Sequence, residues 1–256
     1  MGIGTKSGIM AAAGSAVVAT QKVFRDFQLY VDHDMGPNAT TGDWQSVISR
    51  SDSQFVTAIR PNVDTINSFQ QQTFPQSGRG STIYKTGRNY MSLSLSGSNG
   101  ITGSITAADL FLPVSKSSTG GAGSNYGIAF NIFAGGSGSL SEVVSGYSLY
   151  FTASKTAYAT SQTVNANGLL TYSLNATAIT ALNNHNNFGG SAPEINFAII
   201  HDFDSTGTAP TTPHGMTFAI TSSQLAAMGL PTEGTIGPNA NNQFLPPRIE
   251  LTYIPD

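Results

Sequence analysis

The sequence predicts an all-β protein, an antiparallel sandwich of two sheets with one or two short helices and an extended N-terminal arm. Three observations predict this class. Apolar and polar residues alternate along many segments, clusters of glycine and asparagine separate those segments, and apolar runs with a helical period are short. Alternate side chains of a strand point to the same face, so each segment can cover part of a common core.

The predicted strands follow one another along most of the chain. Their apolar sets are Phe27, Leu29 and Val31; Phe55, Thr57 and Ile59; Met91, Leu93 and Leu95; Leu110, Leu112 and Val114; Ile128, Phe130 and Ile132; Tyr147, Leu149 and Phe151; Leu170, Tyr172 and Leu174; Ile195, Phe197 and Ile199; Met216, Phe218 and Ile220; and Ile249, Leu251 and Tyr253. Turn formers lie between them, and Asn167-Gly168 predicts a tight hairpin turn.

Two short helices are predicted. "SSQLAAMGLP" begins at Ser222 or Ser223 and ends at Gly229, and "NATAITALNN" has Asn175 as its N-cap. Residues 60–82 are predicted to be a long polar connection, either a domain boundary or a surface loop. The first 23 residues predict an arm of small residues, with a frayed terminus as the alternative, so that the sandwich covers 24–256.

The composition is unusual in its shortage of charge. Of the 256 residues, 39% are hydrophobic, which is enough for a core, but only 10% are charged, against roughly 25% in an average soluble protein. The surface must therefore be largely uncharged and polar. Two interpretations stay open: a protein packed against neighbours in an assembly, or an extracellular β-protein of low charge.

Several partners and structures are not expected. There is no basic stripe, which argues against nucleic-acid binding. The apolar run 9–19 is too short to span a membrane. Cysteine is absent, so disulfides are excluded. No G-x-S-x-G motif and no recognisable carboxylate pair is present, so the chain is not expected to be an enzyme.

The main candidate for a metal site is an acidic turn, because the second, "VDHD" (31–34) with His201 and His214, lacks a recognised ligand spacing. "HDFDSTG" places Asp202, Asp204 and Thr206 at alternate positions before a glycine, like the first half of a calcium-binding loop. The twelfth position of that loop is Pro213 instead of a glutamate. The alternative is a structural turn in which the carboxylates accept backbone N–H groups. Apart from calcium at this turn, no cofactor is expected.

Exposed aromatic rings could bind sugars by stacking. Trp44, Tyr84 and Tyr126 are the candidate platforms for a glycan. The alternative is that these rings fill the core of the sandwich or its rim.

Four segments resemble the jelly-roll modules of the DNRLRE type. "ITGSITAADLFLPV" (101–114), "LLTYSLNATAITALNN" (169–184) and "INFAIIHDFDSTGTAP" (195–210) are similar to successive elements of those modules, and "PPRIELTYIPD" (246–256) is similar to their closing strand. The resemblance covers about 80–256.

The resemblance implies a non-catalytic jelly-roll sandwich. Such modules occur in secreted polysaccharide-associated proteins and among the structural proteins of tailed phages. With the arm and the low charge, it predicts a virion protein: a capsid decoration, minor capsid, collar or tail component. Its expected partners are other virion proteins and copies of itself, in a trimer or a larger ring. The alternative is an extracellular carbohydrate-binding module.

Overall fold

The computed structural model describes residues 19–24, 28–34, 44–48, 56–59, 70–78, 81–93, 95, 101–116, 126–135, 155–166, 168–187, 195–212, 214–217, 220–221, 244–245 and 248–256. Strands dominate these residues, and the three helices among them are short. Of these helices, none is long and apolar enough to span a bilayer.

The strands and helices have the following bounds. The strands are β1 Thr20–Phe24, β2 Gln28–Asp34, β3 Val56–Ile59, β4 Gln70–Gly78, β5 Ser81–Leu93, β6 Ser104–Lys116, β7 Ile128–Ala134, β8 Ala157–Val164, β9 Gly168–Ser173, β10 Ile195–His201, β11 His214–Thr217, β12 Ile220–Thr221, β13 Phe244–Leu245 and β14 Arg248–Ile254. The helices are α1 Trp44–Ile48, α2 Ala176–Asn187 and α3 Asp202–Thr206.

Two antiparallel sheets contain these strands. The larger has twelve strands, and β12 and β13 form a separate two-stranded sheet. The larger sheet has two limbs. One contains β1, β14, β6 and β9; the other contains β3, β2, β5, β10, β7 and β8; and β11 and β4 join them by pairing with β6 and β5. The all-β prediction is confirmed at this level.

Both limbs cover one hydrophobic core. Leu110 and Tyr172 come from the first limb, and Phe130 and Phe197 come from the second; all four are at most 1% exposed. The hydroxyl of Tyr172 crosses from β9 to β7, where it donates to the carbonyl oxygen of Phe130 at 3.2 Å. A buried hydroxyl needs such a partner.

Most of the predicted strands are present. The sets at β2, β3, β5, β6, β7, β9, β10 and β14 each overlap a strand, whereas the set Met216, Phe218 and Ile220 is divided between β11 and β12 of different sheets. The predicted strand at 147–151 and the predicted helix at 222–229 lie outside the described residues. Of the predicted arm, residues 20–23 lie in β1, which pairs with β14 of the same chain.

Two local predictions are wrong. The polar stretch 60–82 contains β4, which pairs with β5 even at Pro75, opposite Tyr84. Its "QQQTFPQSG" sequence lacks apolar alternation, so pairing with neighbouring strands determines its conformation. The prediction of a hairpin at Asn167-Gly168 is also wrong. A hairpin would pair β8 with β9, but β8 pairs with β7 and β9 pairs with β6. This connection instead crosses from one limb to the other.

Strand β10 departs from simple alternation. All seven of its residues are buried, including Asn196. It lies between β5 and β7. Both faces of this strand are therefore covered.

Helix α2 begins as predicted at an asparagine cap. The backbone N–H of Ala178 donates to Oδ1 of Asn175 at 3.0 Å, and Nδ2 of Asn175 donates to the carbonyl of Ala157 at 2.7 Å. Farther along the helix, the Asn183 amide both accepts from the N–H and donates to the carbonyl of Ile105, at 2.8 Å each. The Asn183 side chain thus satisfies both backbone groups of Ile105, as a neighbouring strand would.

Two glycines near strand ends have positive φ angles but different surroundings. Gly103, before β6, has a φ of 126°, and a Cβ there would lie 2.0 Å from the carbonyl oxygen of Ile254. Gly127, before β7, has a φ of 86° and open space around the same position. Of these two positions, only 103 needs a glycine because another backbone segment lies too close for a Cβ.

Candidate functional site

The acidic segment after β10 forms a short helix, α3, with a cap at each end. His201 is the N-cap: its backbone is extended, and its Nδ1 accepts from the N–H of Asp204 at 3.1 Å. Gly207 is the C-cap in the left-handed conformation, with a φ of 74°. Asp202 and Asp204 lie in the first turn, where carboxylates interact favourably with the helix dipole. The segment therefore continues the strand into a capped helical turn.

A buried ion pair connects α3 to β5. Arg88 is 0% exposed and Asp204 is 1% exposed. Nε of Arg88 donates to Oδ2 of Asp204, and Nη2 donates to Oδ1 at 2.9 Å. This bidentate geometry matches the planar guanidinium to the carboxylate and compensates the loss of water around both charges.

Helix α1 lies over this ion pair. Nη2 of Arg88 also donates to the carbonyl of Ile48 at 2.9 Å. Nε1 of Trp44 donates to the carbonyl of Phe203 at 3.2 Å, and Nε2 of Gln45 donates to the carbonyl of Gly207 at 2.7 Å. Hydrogen bonds thus hold α1 at both of its ends.

The two buried apolar residues of α1 form a small cluster of their own, and Phe203 packs against both this cluster and the main core. Trp44 and Ile48 are 3% and 5% exposed and form their own cluster, against which Phe203 and Ala209 pack. We call this the α1 cluster. The ring of Phe203 lies 6.3 Å from that of His201 and 5.1 Å from that of His214. The α1 cluster therefore adjoins the imidazole that caps α3.

Other polar groups fix the outer side of α3. Nζ of Lys155 donates to the carbonyl of Ser205 at 2.9 Å, and Nδ2 of Asn131 donates to Oγ of Ser205 at 3.1 Å. Oδ1 of Asp202 accepts from the N–H of Ala129 at 3.3 Å. A cation near the last carbonyls of a helix is favourable for its dipole.

Burial shapes the electrostatics of the cluster. Burial lowers the pKa of His201 well below its usual value, and the positive charge of Arg88 and the proximity of His214 lower it further. Burial raises the pKa of Asp204, whereas Arg88 and Lys155 oppose that rise. Burial also lowers the pKa of Lys155, against the attraction of Asp204. His201 is therefore neutral at pH 7, with its proton on Nε2.

The predicted calcium ligands have other contacts in this arrangement. Both carboxylate oxygens of Asp204 accept from Arg88, Asp202 accepts from a backbone N–H, and Oγ1 of Thr206 donates to the carbonyl of Asp202 at 2.7 Å. Among the described residues, no three His, Asp or Glu side chains are grouped so that they could hold a metal ion. These contacts favour the structural-turn alternative over the calcium loop.

The three predicted sugar platforms are not brought together. Trp44, the first residue of α1, is 3% exposed and packs in the α1 cluster, so its indole presents no open face to a sugar ring. Tyr126 is half-buried against the main core. The side chain of Tyr84 lies outside the described residues. Trp44 and Tyr126 thus occupy core and rim positions, as the alternative interpretation expected.

Arg88 is the residue of this site that the sequence did not indicate. Strand alternation puts it on the face opposite Met91 and Leu93, which predicts exposure. In the structure, α1 and α3 cover that residue. A lone arginine inside a strand of a chain with only 11 Lys and Arg was the available signal for a specific partner.

The arrangement joins elements that are distant in the sequence. Arg88, His201 and Asp204 are at most 1% exposed, so a ligand can reach them only if the residues that cover them move. Comparison with known proteins adds no family: the chain matches none of the protein-family models and none of the curated proteins with which it was compared. The resemblance to DNRLRE-type modules therefore stays a prediction from the quoted motifs.

Proposed function

We propose that this chain is a non-enzymatic structural subunit of a tailed-phage virion, with a jelly-roll sandwich that acts by packing against other virion subunits and its own copies. The observation that carries the proposal is a run of uncharged, exposed residues on a β strand. On β8, four consecutive residues, 160–163, are exposed, and all are Thr, Ser or Gln. On β9, Thr171 and Ser173 are exposed as well.

Such a surface suits burial in an interface. Charged residues are depleted at the core of protein interfaces, because each one loses hydration that an imperfect partner does not restore. Hydroxyl and amide groups lose less hydration and can pair with the same groups of a neighbouring subunit. A surface of this kind permits close packing without specific charge partners.

The jelly-roll topology is supported by the pairing of distant strands. The last strand, β14, pairs with β6, which also pairs with β9. All three lie in the region that resembles DNRLRE-type modules. The two limbs cover one core, as the layers of a sandwich do.

Assembly state tests the proposal. Light scattering coupled to size exclusion is expected to give a trimer or a larger ring for the full chain. Thr160→Lys should weaken assembly because it adds a charge to the exposed part of β8. Thr177→Lys, which adds the same charge on the exposed part of α2, is the matched control. A monomer at all concentrations, or equal effects of both variants, would contradict the proposal.

A second experiment separates this proposal from the carbohydrate-binding alternative. No specific binding to a glycan array is expected. Binding that Tyr126→Ala abolishes, in a chain that stays monomeric, would instead favour an extracellular sugar-binding module. Electron microscopy of purified particles with a labelled antibody tests the location in the virion directly.

A further inference from the structure

We propose that the outer face of β9, β6 and β14 binds the same face of a second copy, so that Arg248 of each copy forms an ion pair with Asp109 of the other. This contact rests on the assembly role proposed above, of which it is one interface. Its two-fold symmetry joins copies in pairs, so that together with a separate ring contact it gives two stacked rings.

The strand register builds this surface, which we call the Arg248 face. Leu110 on β6, Tyr172 on β9 and Leu251 on β14 point into the main core, so the residues that alternate with them point outward. These outward residues are Thr171 and Ser173 on β9; Ala107, Asp109 and Phe111 on β6; and Arg248, Glu250 and Thr252 on β14. Three charged side chains thus lie together on one face of the sheet.

Arg248 is held in one orientation from two sides. Its Cζ lies 4.1 Å from the centre of the Phe111 ring, and its Nε donates to Oε1 of Glu250 at 2.8 Å. Its Nη1 and Nη2 make no hydrogen bond within the part of the chain that the structure describes. A guanidinium can bind a carboxylate through such a pair of nitrogens. Because the side chain is already oriented, binding would cost little further rotamer entropy.

Asp109 is the carboxylate of this face that lacks a cation. Its Oδ1 accepts from Oγ of Ser173 at 2.7 Å, and it forms no ion pair with any described residue. Its partner in the register is Glu250, and like charges directly opposite each other are unfavourable in a sheet. The guanidinium of Arg248 is turned to Glu250 instead. The face therefore offers an open donor pair and an uncompensated acceptor.

A second copy complements both groups at once. When two Arg248 faces meet across a two-fold axis, each guanidinium can reach the Asp109 carboxylate of the other copy, and the two ion pairs are identical. Phe111, beside both charged residues, supplies apolar area. Arginine and aromatic residues are the types that most often dominate the energy of an interface. Glu250, whose side chain is 31% exposed against 18% for Arg248, lies beyond the ion pairs, at the hydrated rim.

Reversal of one charge at a time tests this contact. Arg248→Glu places a carboxylate opposite Asp109 of the other copy, and Asp109→Arg places a guanidinium opposite Arg248. Each variant alone should raise the dissociation constant of the two-fold contact by about tenfold or more. Light scattering coupled to size exclusion should then show half of the wild-type mass. Thr177→Glu, which adds a charge on the exposed part of α2, should keep the wild-type mass.

A mixture of the two variants gives the decisive result. Each ion pair in a mixed assembly again joins opposite charges, so the wild-type mass should return. Damage to the fold of one variant could not be repaired by the other. The contact is overturned if the mixture stays dissociated, or if each variant alone assembles like the wild type. Loss of binding to purified particles with unchanged self-association would assign the surface to another virion protein and would also overturn it.

The wild-type chain gives an answer even if the variants fail to fold. Raising the salt concentration from about 0.01 M to about 1 M shortens the screening length from about 30 Å to about 3 Å. Sedimentation should show that the two-fold contact weakens severalfold, and equal or tighter association in high salt would overturn it. A ring that persists in this case, or in both variants, leaves the proposed assembly role intact, whereas a monomeric wild type would contradict both.

Discussion

Arg88 and Asp204 are 116 positions apart in the chain and form a bidentate ion pair in which both side chains are 0% exposed. The pair joins β5 to α3, and the same guanidinium binds the carbonyl of Ile48 in α1. Three segments from distant parts of the sequence thus meet at one buried charge pair.

Breaking this pair should be costly. Arg88→Met or Asp204→Asn leaves one buried group without its partner, so each is expected to lower the free energy of unfolding by about 3–5 kcal/mol. The double variant should lose clearly less than the sum of the two losses. Urea denaturation of the four proteins measures this coupling, and additive losses would show that the pair contributes no interaction of its own.

Stability should fall in mild acid because of His201. Its folded-state pKa is lowered, so below about pH 6.5 the unfolded chain binds a proton that the folded chain does not. The contribution is complete above that pH and is lost at up to about 1.4 kcal/mol per pH unit as the pH falls toward the folded-state pKa. The difference between wild type and His201→Asn in urea denaturation at several pH values isolates this slope. Parallel curves would contradict the prediction.

Gly103→Ala should destabilise the fold much more than Gly127→Ala does. Both residues have a positive φ, which costs an L-residue about 1–2 kcal/mol. Only at Gly103 does the added Cβ meet a backbone oxygen, that of Ile254, at 2.0 Å. Gly103→Ala should therefore lose at least about 2 kcal/mol more than Gly127→Ala. Thermal unfolding compares them, and equal losses would mean that the end of β14 moves away freely.

Removal of the α2 cap should destabilise the chain moderately. Asn175→Ala loses both the bond to the N–H of Ala178 and the bond to the carbonyl of Ala157, and about 1 kcal/mol or somewhat more is expected. Asn175→Asp keeps an acceptor for Ala178 and should lose less. If the two variants have the same melting temperature, the bond to the N–H of Ala178 is not the important interaction of this side chain.

Calcium is not expected to stabilise the chain. Both oxygens of Asp204 already accept from Arg88, so a cation at this carboxylate would face a second positive charge. Differential scanning fluorimetry with excess calcium and with a chelator should give the same melting temperature. A rise with calcium that Asp202→Asn removes would establish the calcium loop instead.

The sequence predicted the local elements better than their partners. Alternation identified β6, β7 and β14, and the asparagine before "ATAITALNN" identified the start of α2, because both signals are contained in neighbouring residues. The strand β4 was missed because "QQQTFPQSG" has no alternation, and its conformation depends on pairing with β5 and β11.

The candidate site could be predicted only in part. The change from an apolar strand to an acidic turn at His201 was visible in the sequence, and the structural-turn alternative agrees with the capped helix found there. The burial of Arg88 was not visible, because it follows from the packing of α1 and α3 over β5. Contacts between residues more than a hundred positions apart leave no periodic trace in one sequence.

The complete burial of β10 has a consequence for folding. A strand with one apolar face resists a shift of its pairing register by one residue, because the shift would expose that face to water. With both faces covered, β10 lacks this protection. A polar side chain at its end can supply the missing specificity: a slip by one residue would move the imidazole of His201 away from the N–H of Asp204 that it accepts. The cap of α3 thus also opposes a shift in the register of β10.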